Sequence, residues 1–448
     1  MQSLFFFIVA LSILVVIHEF GHFWVARRCG VKVLKFSVGF GQPLFKKLGR
    51  DGTEYILAAI PLGGYVKMLD EREGSVPPEQ LDQAFNNKSL AARTAIIAAG
   101  PIANLLFAIF AYWLIFIMGI PGMRPIIDEI IVDSPASYAE FRSGDEITQI
   151  NGTETPTWSS VRKALFKISQ SGGTAEIRVN LGDIEVQRQL EIAKIDLDSS
   201  MAKPFLNTLG LIPIQIKYKP VIGSIIRGGA AEKAGLKEGD ELRTYEGDAI
   251  SSWAEWVTLI RAHADIVMPI EIQRENKTIA LFLTPSKTTD NIGKIGAGLD
   301  ASKTKIPDYL QAELRYSPLY ALRYAVQETW DFSSSTVKGI VGMLMGTVSS
   351  KNIGGPITIA QIAGASAEQG LIAFIYFLAM ISVSLGILNL LPIPILDGGH
   401  LLMNLIEWVK GTALSEQAQL RSQKVGIILL LSLMFLAFFN DLTRLFGS

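Results

Sequence analysis

Four long apolar runs constrain the fold of this 448-residue chain more than any other feature. They cover residues 4–26, 94–118, 371–391 and 425–440. A membrane-spanning helix needs about 20 mostly apolar residues. The fourth run is therefore short, but local thinning of the bilayer can accommodate it. Because hydrophobic residues make up 49% of the chain and charged residues 19%, we predict a multi-pass α-helical membrane protein with four transmembrane helices.

The distribution of basic residues predicts the orientation. Residues 27–50 contain seven lysines and arginines and no acid, and the segment 410–424 contains three more. Both loops are therefore expected in the cytoplasm, with the two termini and the long central segment outside. A cleaved signal peptide is the alternative for the first run, but no basic residues precede that run. The net charge of −1 argues against a nucleic-acid partner, and the single Cys29 excludes an internal disulfide.

The first apolar run contains the motif HEFGH. On an α-helix His18 and His22 lie one turn apart on the same face, so both imidazoles can bind one metal ion. Glu19 can then act as general base for a water molecule on that ion. A chance match is the alternative, but a charge deep in a span costs roughly 2.5–3.5 kcal/mol. Such residues persist mainly for function, and the motif predicts the zinc site of a metalloprotease.

Two histidines leave zinc short of ligands, so a third ligand is expected from another span at the same depth. The third run ends in NLLPIPILDGGH, where Pro392 and Pro394 stop the helix because proline lacks an amide donor. Asp397 follows them and is the predicted third ligand, although it could instead be a turn residue. His400 is a rival ligand by chemistry, but we favour a position at the membrane interface or a role as hydrogen-bond donor to one of the ligands. Asn389 is expected to hold an extended substrate or stabilise an oxyanion, or alternatively to bond a neighbouring helix.

Turn residues separate short apolar and aromatic runs in residues 35–68, which predicts strands or hairpins near the cytoplasmic face. The group Gly39, Phe40 and Gly41 is one of these turns. Such a sheet can enter the membrane only where protein or a watery cavity covers its backbone. Between the repeats of the external segment and the third run, Leu319, Leu322, Val326 and Trp330 occur at helical spacing. They predict either a helix on the membrane surface or a helix packed on its neighbours.

The external segment contains a duplication. Gly144, Asp145 and Trp158 correspond to Gly239, Asp240 and Trp253, and each pair is separated by the same number of residues. Each copy has a short helix, a Gly-Asp turn, a strand and a second helical stretch, a pattern that resembles PDZ domains. Such domains bind extended peptides by adding a strand to a sheet edge. We therefore expect two inserted α+β PDZ-like domains in the periplasm.

Together these features resemble the site-2 protease family of intramembrane zinc metalloproteases. The resemblance covers nearly the whole chain and rests on HEFGH, on GPIAN at residues 100–104 and on NLLPIPILDG at residues 389–398. It implies an N-terminal membrane part at 1–120, PDZ-like domains at 121–218 and 219–306, and a C-terminal membrane part at 307–448. It also implies a bacterial inner-membrane location.

The resemblance further implies a role for each candidate residue. His18, His22 and Asp397 would bind Zn²⁺, and Glu19 would be the general base. The strands around residues 39–68, including Gly39, Phe40 and Gly41, would form a membrane-reentrant β-hairpin that pairs with the substrate. Asn389, Pro392 and Pro394 would help to place the substrate strand. Substrates would be single-span membrane proteins already shortened by another protease, such as an anti-sigma factor, or remnant signal peptides. The PDZ-like domains would bind peptides and exclude uncut substrates.

Two other functions are consistent with parts of the sequence. A non-catalytic membrane scaffold would use only the repeats, and Glu19 would then be dispensable. A metal transporter would use the same three ligands as a transit site, but transporters usually carry polar residues at several depths. The complete set of three ligands and a base favours the protease.

Overall fold

The computed structural model describes residues 2–182, 184–194, 205–288, 290–350, 353–412 and 415–446. The chain divides into two compact units. We call them the membrane unit, Met1–Ile120 with Arg315–Thr443, and the inserted unit, Pro121–Leu314 with Arg444–Ser448. The described α-helices are α1 (Gln2–Arg28), α2 (Leu90–Met118), α3 (Pro135–Tyr138), α4 (Trp158–Ser169), α5 (Phe205–Thr208), α6 (Ala230–Lys233), α7 (Trp253–Ala262), α8 (Pro318–Leu344), α9 (Pro356–Glu368), α10 (Leu371–Leu390), α11 (Asp397–Lys410) and α12 (Glu416–Phe446).

Four helices of the described residues are long and apolar enough to cross a membrane: α1, α2, α10 and α12. Their number agrees with the prediction. The last helix has 31 residues and is longer than the apolar run 425–440, because helix continues into polar residues at both ends. One of those added residues is Asp441, which is 2% exposed and accepts hydrogen bonds from the backbone amides of Gly355, Ile357 and Thr358 at the start of α9.

Helix α2 is the central element of the membrane unit, and it packs against α1, α8, α10 and α11. Small residues allow the close approach that helix association in membranes favours. A Cβ added to Gly21 of α1 would lie 2.3 Å from the Ala99 carbonyl oxygen of α2, and one added to Gly386 of α10 would lie 3.1 Å from the Pro101 carbonyl oxygen. Consequently both α1 and α10 pack closely on the same helix, α2.

The predicted strands between the first two spans form one curled antiparallel sheet, made of β1 (Val33–Leu48) and β2 (Glu54–Met68). Each strand is long enough to pair twice. Ser37 of β1 lies between Tyr65 and Ile56 of β2, while Lys46 near the end of β1 also pairs with Ile56. The order across the sheet is therefore the end of β2, the start of β1, the start of β2 and the end of β1. The two outer segments are therefore the edges of the sheet.

Helix α8 contains the apolar residues that the sequence placed at helical spacing. Ala321, Ala325 and Thr329 are buried on one side, whereas Leu319 and Trp330 are exposed by 79% and 71%. The exposed apolar side is what a helix lying against lipid presents.

The duplication in the sequence corresponds to two similar sheets in the inserted unit. Its two four-stranded sheets have equivalent orders, β6-β5-β7-β8 and β12-β11-β13-β14, and each has its own hydrophobic core. The large buried side chains include Ile147 and Leu165 in the first core and Leu242 and Trp256 in the second. The strands are β3 (Ile120–Met123), β4 (Ile127–Ile130), β5 (Glu146–Ile150), β6 (Thr153–Glu154), β7 (Gly173–Leu181), β8 (Ile184–Ile192), β9 (Leu211–Pro213), β10 (Ile222–Ile225), β11 (Glu241–Tyr245), β12 (Asp248–Ala249), β13 (Met268–Arg274), β14 (Lys277–Leu283), β15 (Ser286–Lys287), β16 (Gly293–Lys294), β17 (Ala297–Leu299) and β18 (Gln311–Leu314).

The main segment of the inserted unit begins at Pro121 and ends at Leu314. Strand β18, which ends at Leu314, pairs with β3 at the start of this segment. The strand that enters the insertion and the strand that leaves it thus run side by side. Residues 195–204 of the first expected repeat lie outside the described residues.

Candidate metal centre

Three predicted ligands lie together in the membrane unit. The Nε2 atoms of His18 and His22 are 3.3 Å apart, and Oδ2 of Asp397 lies 3.2 Å from the first and 3.5 Å from the second. Among the described residues these three form the candidate metal-binding group. Two of the donors come from one turn of α1, and the third is the first residue of α11, 375 positions beyond His22 in the sequence.

The spacing of these donors matches a zinc site. Zinc binds imidazole nitrogen and carboxylate oxygen at about 2.0–2.2 Å in tetrahedral geometry, which separates neighbouring donors by about 3.3–3.6 Å. The three observed separations are 3.2, 3.3 and 3.5 Å. Oδ2 of Asp397 is buried and has no hydrogen-bond donor within the described part of the chain. Three mutually facing donor atoms at this spacing fit a cation, and two imidazoles with one carboxylate leave the open position of a catalytic zinc site.

The hydrogen bond of His22 sets its tautomer. Its Nδ1 lies 2.8 Å from the carbonyl oxygen of Ile96 in α2, so Nδ1 carries the proton and donates it. The lone pair of Nε2 is then free and directed towards His18 and Asp397. A backbone carbonyl in this position is a common outer partner of a metal-binding histidine.

Glycine at position 100 makes room for both imidazoles. A Cβ added to Gly100 would lie 2.3 Å from Nε2 of His22 and 2.9 Å from Cε1 of His18. Any larger residue would occupy the space in which the two rings meet the third ligand. The first residue of GPIAN is therefore explained by the metal centre itself rather than by helix packing.

The chain before Asp397 turns sharply, and two glycines permit the turn. A Cβ on Gly398 would lie 2.2 Å from the Leu391 carbonyl oxygen, and one on Gly399 would lie 2.3 Å from that of Ile393. Pro392 and Pro394 lie inside the turn, which begins directly after α10 ends. Asp397 starts α11, where the positive end of the helix dipole stabilises its carboxylate.

A brace of polar contacts fixes α11 on α2. Arg93 donates two hydrogen bonds to the Glu407 carboxylate, at 2.6 and 3.2 Å, and Asn404 donates to the Thr94 hydroxyl at 3.1 Å. Since α2 also bonds His22 of α1, the same helix holds both sides of the metal centre. Asp397 therefore depends on contacts about two to three turns further along its own helix.

Glu19 lies between the metal centre and the sheet. Its carboxylate interacts electrostatically with both histidines and with Asp397, and the backbone of Val66 in β2 hydrogen-bonds it. A Cβ on Gly64 would lie 3.0 Å from Cγ of Glu19. The edge of the sheet formed by the end of β2 is thus the edge that lies against the predicted general base.

The remaining predicted residues occupy two places in the membrane unit. Asn389 is half-buried near the end of α10, and no hydrogen bond to its side chain occurs among the described residues. Gly39 and Gly41, with φ of 91° and 87°, form the bend of β1 on either side of Phe40, whose ring stacks on Tyr65 at 6.3 Å. His400 is outside the three-residue ligand group of the described residues.

Sequence reasoning gave no role to several residues around the centre. Asn104 lies 3.1 Å from Nδ1 of His18, and Gly64 and Val66 contact Glu19. The motif GPIAN contained a signal for Asn104, because residues 100 and 104 share one face of a helix. The brace between α2 and α11 had no such signal, since its partners are more than 300 positions apart.

Comparison with known proteins identifies the family of the chain. The model of Peptidase family M50 matches residues 6–433. The chain is 44% identical over 441 residues to the regulator of sigma-E protease RseP of Salmonella typhimurium, and 43% identical over 441 residues to the protein of that name from Escherichia coli; both alignments cover 98% of each chain. It is also similar, with 16% identity and a TM-score of 0.18, to a PDZ domain of an SdrC-like protein from Listeria monocytogenes, over 20% of this chain and 96% of that one.

Proposed function

The chain belongs to Peptidase family M50 and is a zinc metalloprotease, and we propose that it hydrolyses peptide bonds within the transmembrane segments of other proteins. The observation that carries this proposal is the group of three donors 3.2–3.5 Å apart in helices α1 and α11, of which α1 is apolar enough to cross a membrane. A protease whose centre is built into such a helix meets its substrate inside the bilayer.

Each residue of the centre has a distinct role in this proposal. His18, His22 and Asp397 hold the zinc ion. When bound, zinc supplies Lewis acidity, which lowers the pKa of water and polarises the scissile carbonyl. Glu19 accepts a proton from the attacking water and returns it to the leaving amine. Asn389, near the end of α10, donates its amide hydrogens to the substrate backbone or to the developing oxyanion.

The substrate must be extended before it can be cut, because a helix hides its peptide bonds. An unwound segment in hydrocarbon needs partners for its backbone groups, and a sheet edge provides them by strand addition. The edge formed by the end of β2 lies against Glu19, at Gly64 and Val66. We propose that the substrate strand pairs there, with the bend at Gly39, Phe40 and Gly41 and the turn at Pro392 and Pro394 placing it.

The relatives named as regulators of sigma-E protease support a signalling role. We propose that the substrates are single-span proteins already shortened outside the membrane. They include the anti-sigma factor of a sigma-E stress response and remnant signal peptides. The chain would lie in a bacterial inner membrane with both termini and the inserted unit in the periplasm, since its basic loops at 27–50 and 410–424 favour the cytoplasm.

The inserted unit is proposed to act as a substrate filter made of two PDZ-like domains at 121–218 and 219–306. Support comes from the equivalent strand orders of its two sheets. Removal of residues 121–314 should permit cleavage of substrates that keep a bulky external domain. An unchanged substrate range would rule out the filter.

The protease proposal is tested by cleavage of a truncated single-span substrate by the purified protein in detergent. Glu19→Gln keeps the size of the side chain and removes its basicity. We expect this variant to lose cleavage while it still binds zinc, and a zinc chelator should also stop the wild-type protein. Cleavage by Glu19→Gln at the wild-type rate would refute the base assignment. Zinc binding by a wild-type protein that never cleaves would favour a scaffold or a transporter.

A further inference from the structure

Asn104 is a fully buried polar residue of α2 that the proposed mechanism does not use. It lies one turn after Gly100, on the side of α2 that faces α1. Its Nδ2 is 3.1 Å from Nδ1 of His18. Its Oδ1 is buried and has no hydrogen-bond donor among the described residues. A fully buried amide oxygen without a hydrogen-bond donor costs free energy, so its presence needs an explanation.

The nitrogen and oxygen of the Asn104 side-chain amide have nearly the same size and shape, so the space around them admits either orientation. The hydrogen-bonding needs of His18 decide between the two. If the Asn104 nitrogen faces His18, the Nδ1 atom is an acceptor and the neutral ring carries its proton on Nε2. That proton would point at Asp397 and His22, where the lone pair must be for metal binding. If the oxygen faces His18 instead, Nδ1–H donates to it and Nε2 is free.

We propose that Asn104 is a positioning residue for zinc, whose Oδ1 accepts the Nδ1–H of His18 and holds that ring in the metal-binding tautomer. This inference rests on the proposed zinc site. Helix α2 then serves both histidines in the same way, with the Ile96 carbonyl as acceptor for His22 and Asn104 as acceptor for His18. Between the two acceptors lies Gly100, which provides the space for the rings.

The backbone at Asn104 is bonded to a neighbouring helix, because its carbonyl oxygen accepts a 2.8 Å hydrogen bond from the Ser382 hydroxyl of α10. Both residues are fully buried. In this apolar interior, the Asn104 side chain lies 3.1 Å from Nδ1 of His18. A fixed acceptor at that position selects one tautomer much more strongly than water does, because water can donate and accept equally. Outer partners of this kind typically change metal affinity by about 10–100-fold when they are removed.

The test compares three full-length variants in detergent, with zinc dissociation constants measured by competition with a chromophoric chelator. Leucine and aspartate are close to asparagine in size, so Asn104→Leu removes all hydrogen bonding while Asn104→Asp keeps only acceptors. Ser382→Ala is the matched control, because it removes a buried hydrogen bond to the backbone carbonyl of Asn104 and leaves the side-chain amide intact. We expect zinc affinity about 10–100-fold weaker for Asn104→Leu, and close to wild type for Asn104→Asp and for Ser382→Ala.

Several results would overturn the inference. Wild-type zinc affinity in Asn104→Leu would show that no hydrogen bond to His18 is needed. An equal loss in Asn104→Asp and Asn104→Leu would show that the amide acts as a donor or only as packing, and Asn104→Asp alone decides this if the leucine variant does not fold. A wild-type protein that binds no zinc would refute the proposed metal site itself, which separates that failure from failure of the role of Asn104.

Discussion

Replacing Gly100 by alanine should damage the metal centre without unfolding the protein. The added Cβ would lie 2.3 Å from Nε2 of His22, whereas ordinary contacts of a Cβ begin at 3.4 Å. The imidazole would have to move by the difference of 1.1 Å. Helix α1 could relieve the clash only by moving away from α2, which would open the close packing of Gly21 on Ala99. Functional groups must be held within about 0.5 Å of their productive positions, so His22 would no longer meet the ion together with Asp397.

The expected magnitude follows from the loss of one ligand position. We predict zinc affinity at least about tenfold weaker and cleavage at least about 100-fold slower. The assay is zinc content by elemental analysis together with cleavage of a truncated single-span substrate in detergent. Gly339→Ala is the matched control, since a Cβ there meets nothing within 4 Å. Full zinc content and wild-type cleavage in Gly100→Ala would refute the steric argument.

Three further variants test the supports of the centre. Gly64→Ala places a Cβ 3.0 Å from Cγ of Glu19, so cleavage should fall by about 100-fold while zinc content stays unchanged; loss of zinc would contradict this. Arg93→Met leaves Glu407 unpaired and should lower the free energy of unfolding by about 1–3 kcal/mol, less than for a fully buried pair because the two side chains are 17% and 22% exposed. Thermal unfolding measures this, and an unchanged midpoint would exclude the brace. Asp441→Asn removes a charged cap from α9 and should cost about 1–2 kcal/mol; hydrogen exchange at the start of α9 should rise, and unchanged protection would argue against the cap.

The ligand cluster could be predicted because two kinds of constraint meet there. Helix geometry fixes His18 and His22 on one face whatever surrounds them. The cost of an unpaired charge in a membrane then requires a partner for Asp397. Neither argument needs knowledge of tertiary packing, and the structure brings the three donors to within 3.5 Å of each other.

Other features could not be predicted, because they depend on contacts that leave no local pattern. The double pairing of β1 and β2 arises from curvature of the sheet, and alternation of residues alone cannot show which segments are neighbours. The end of the inserted unit after Leu314 depends on the pairing of β18 with β3. The predicted fourth run ends at residue 440, just before Asp441, and only the tertiary structure shows that α9 begins beside this residue.

The motif GPIAN could be predicted only in part. Gly100 and Asn104 could be assigned to one helix face from their spacing, but not to the metal centre, because the neighbouring helix was unknown. The 3.1 Å approach of Asn104 to His18 and the contact of Gly100 with both imidazoles connect the two motifs.

The measurement that tests the central claim most directly is the zinc content of purified wild-type, Glu19→Gln and Asp397→Asn proteins, with cleavage followed in the same samples. We predict about one zinc ion per chain in the wild-type protein and in Glu19→Gln, cleavage only in the wild-type protein, and much less zinc in Asp397→Asn. Full zinc content in Asp397→Asn would contradict the ligand assignment, and cleavage by Glu19→Gln would contradict the mechanism.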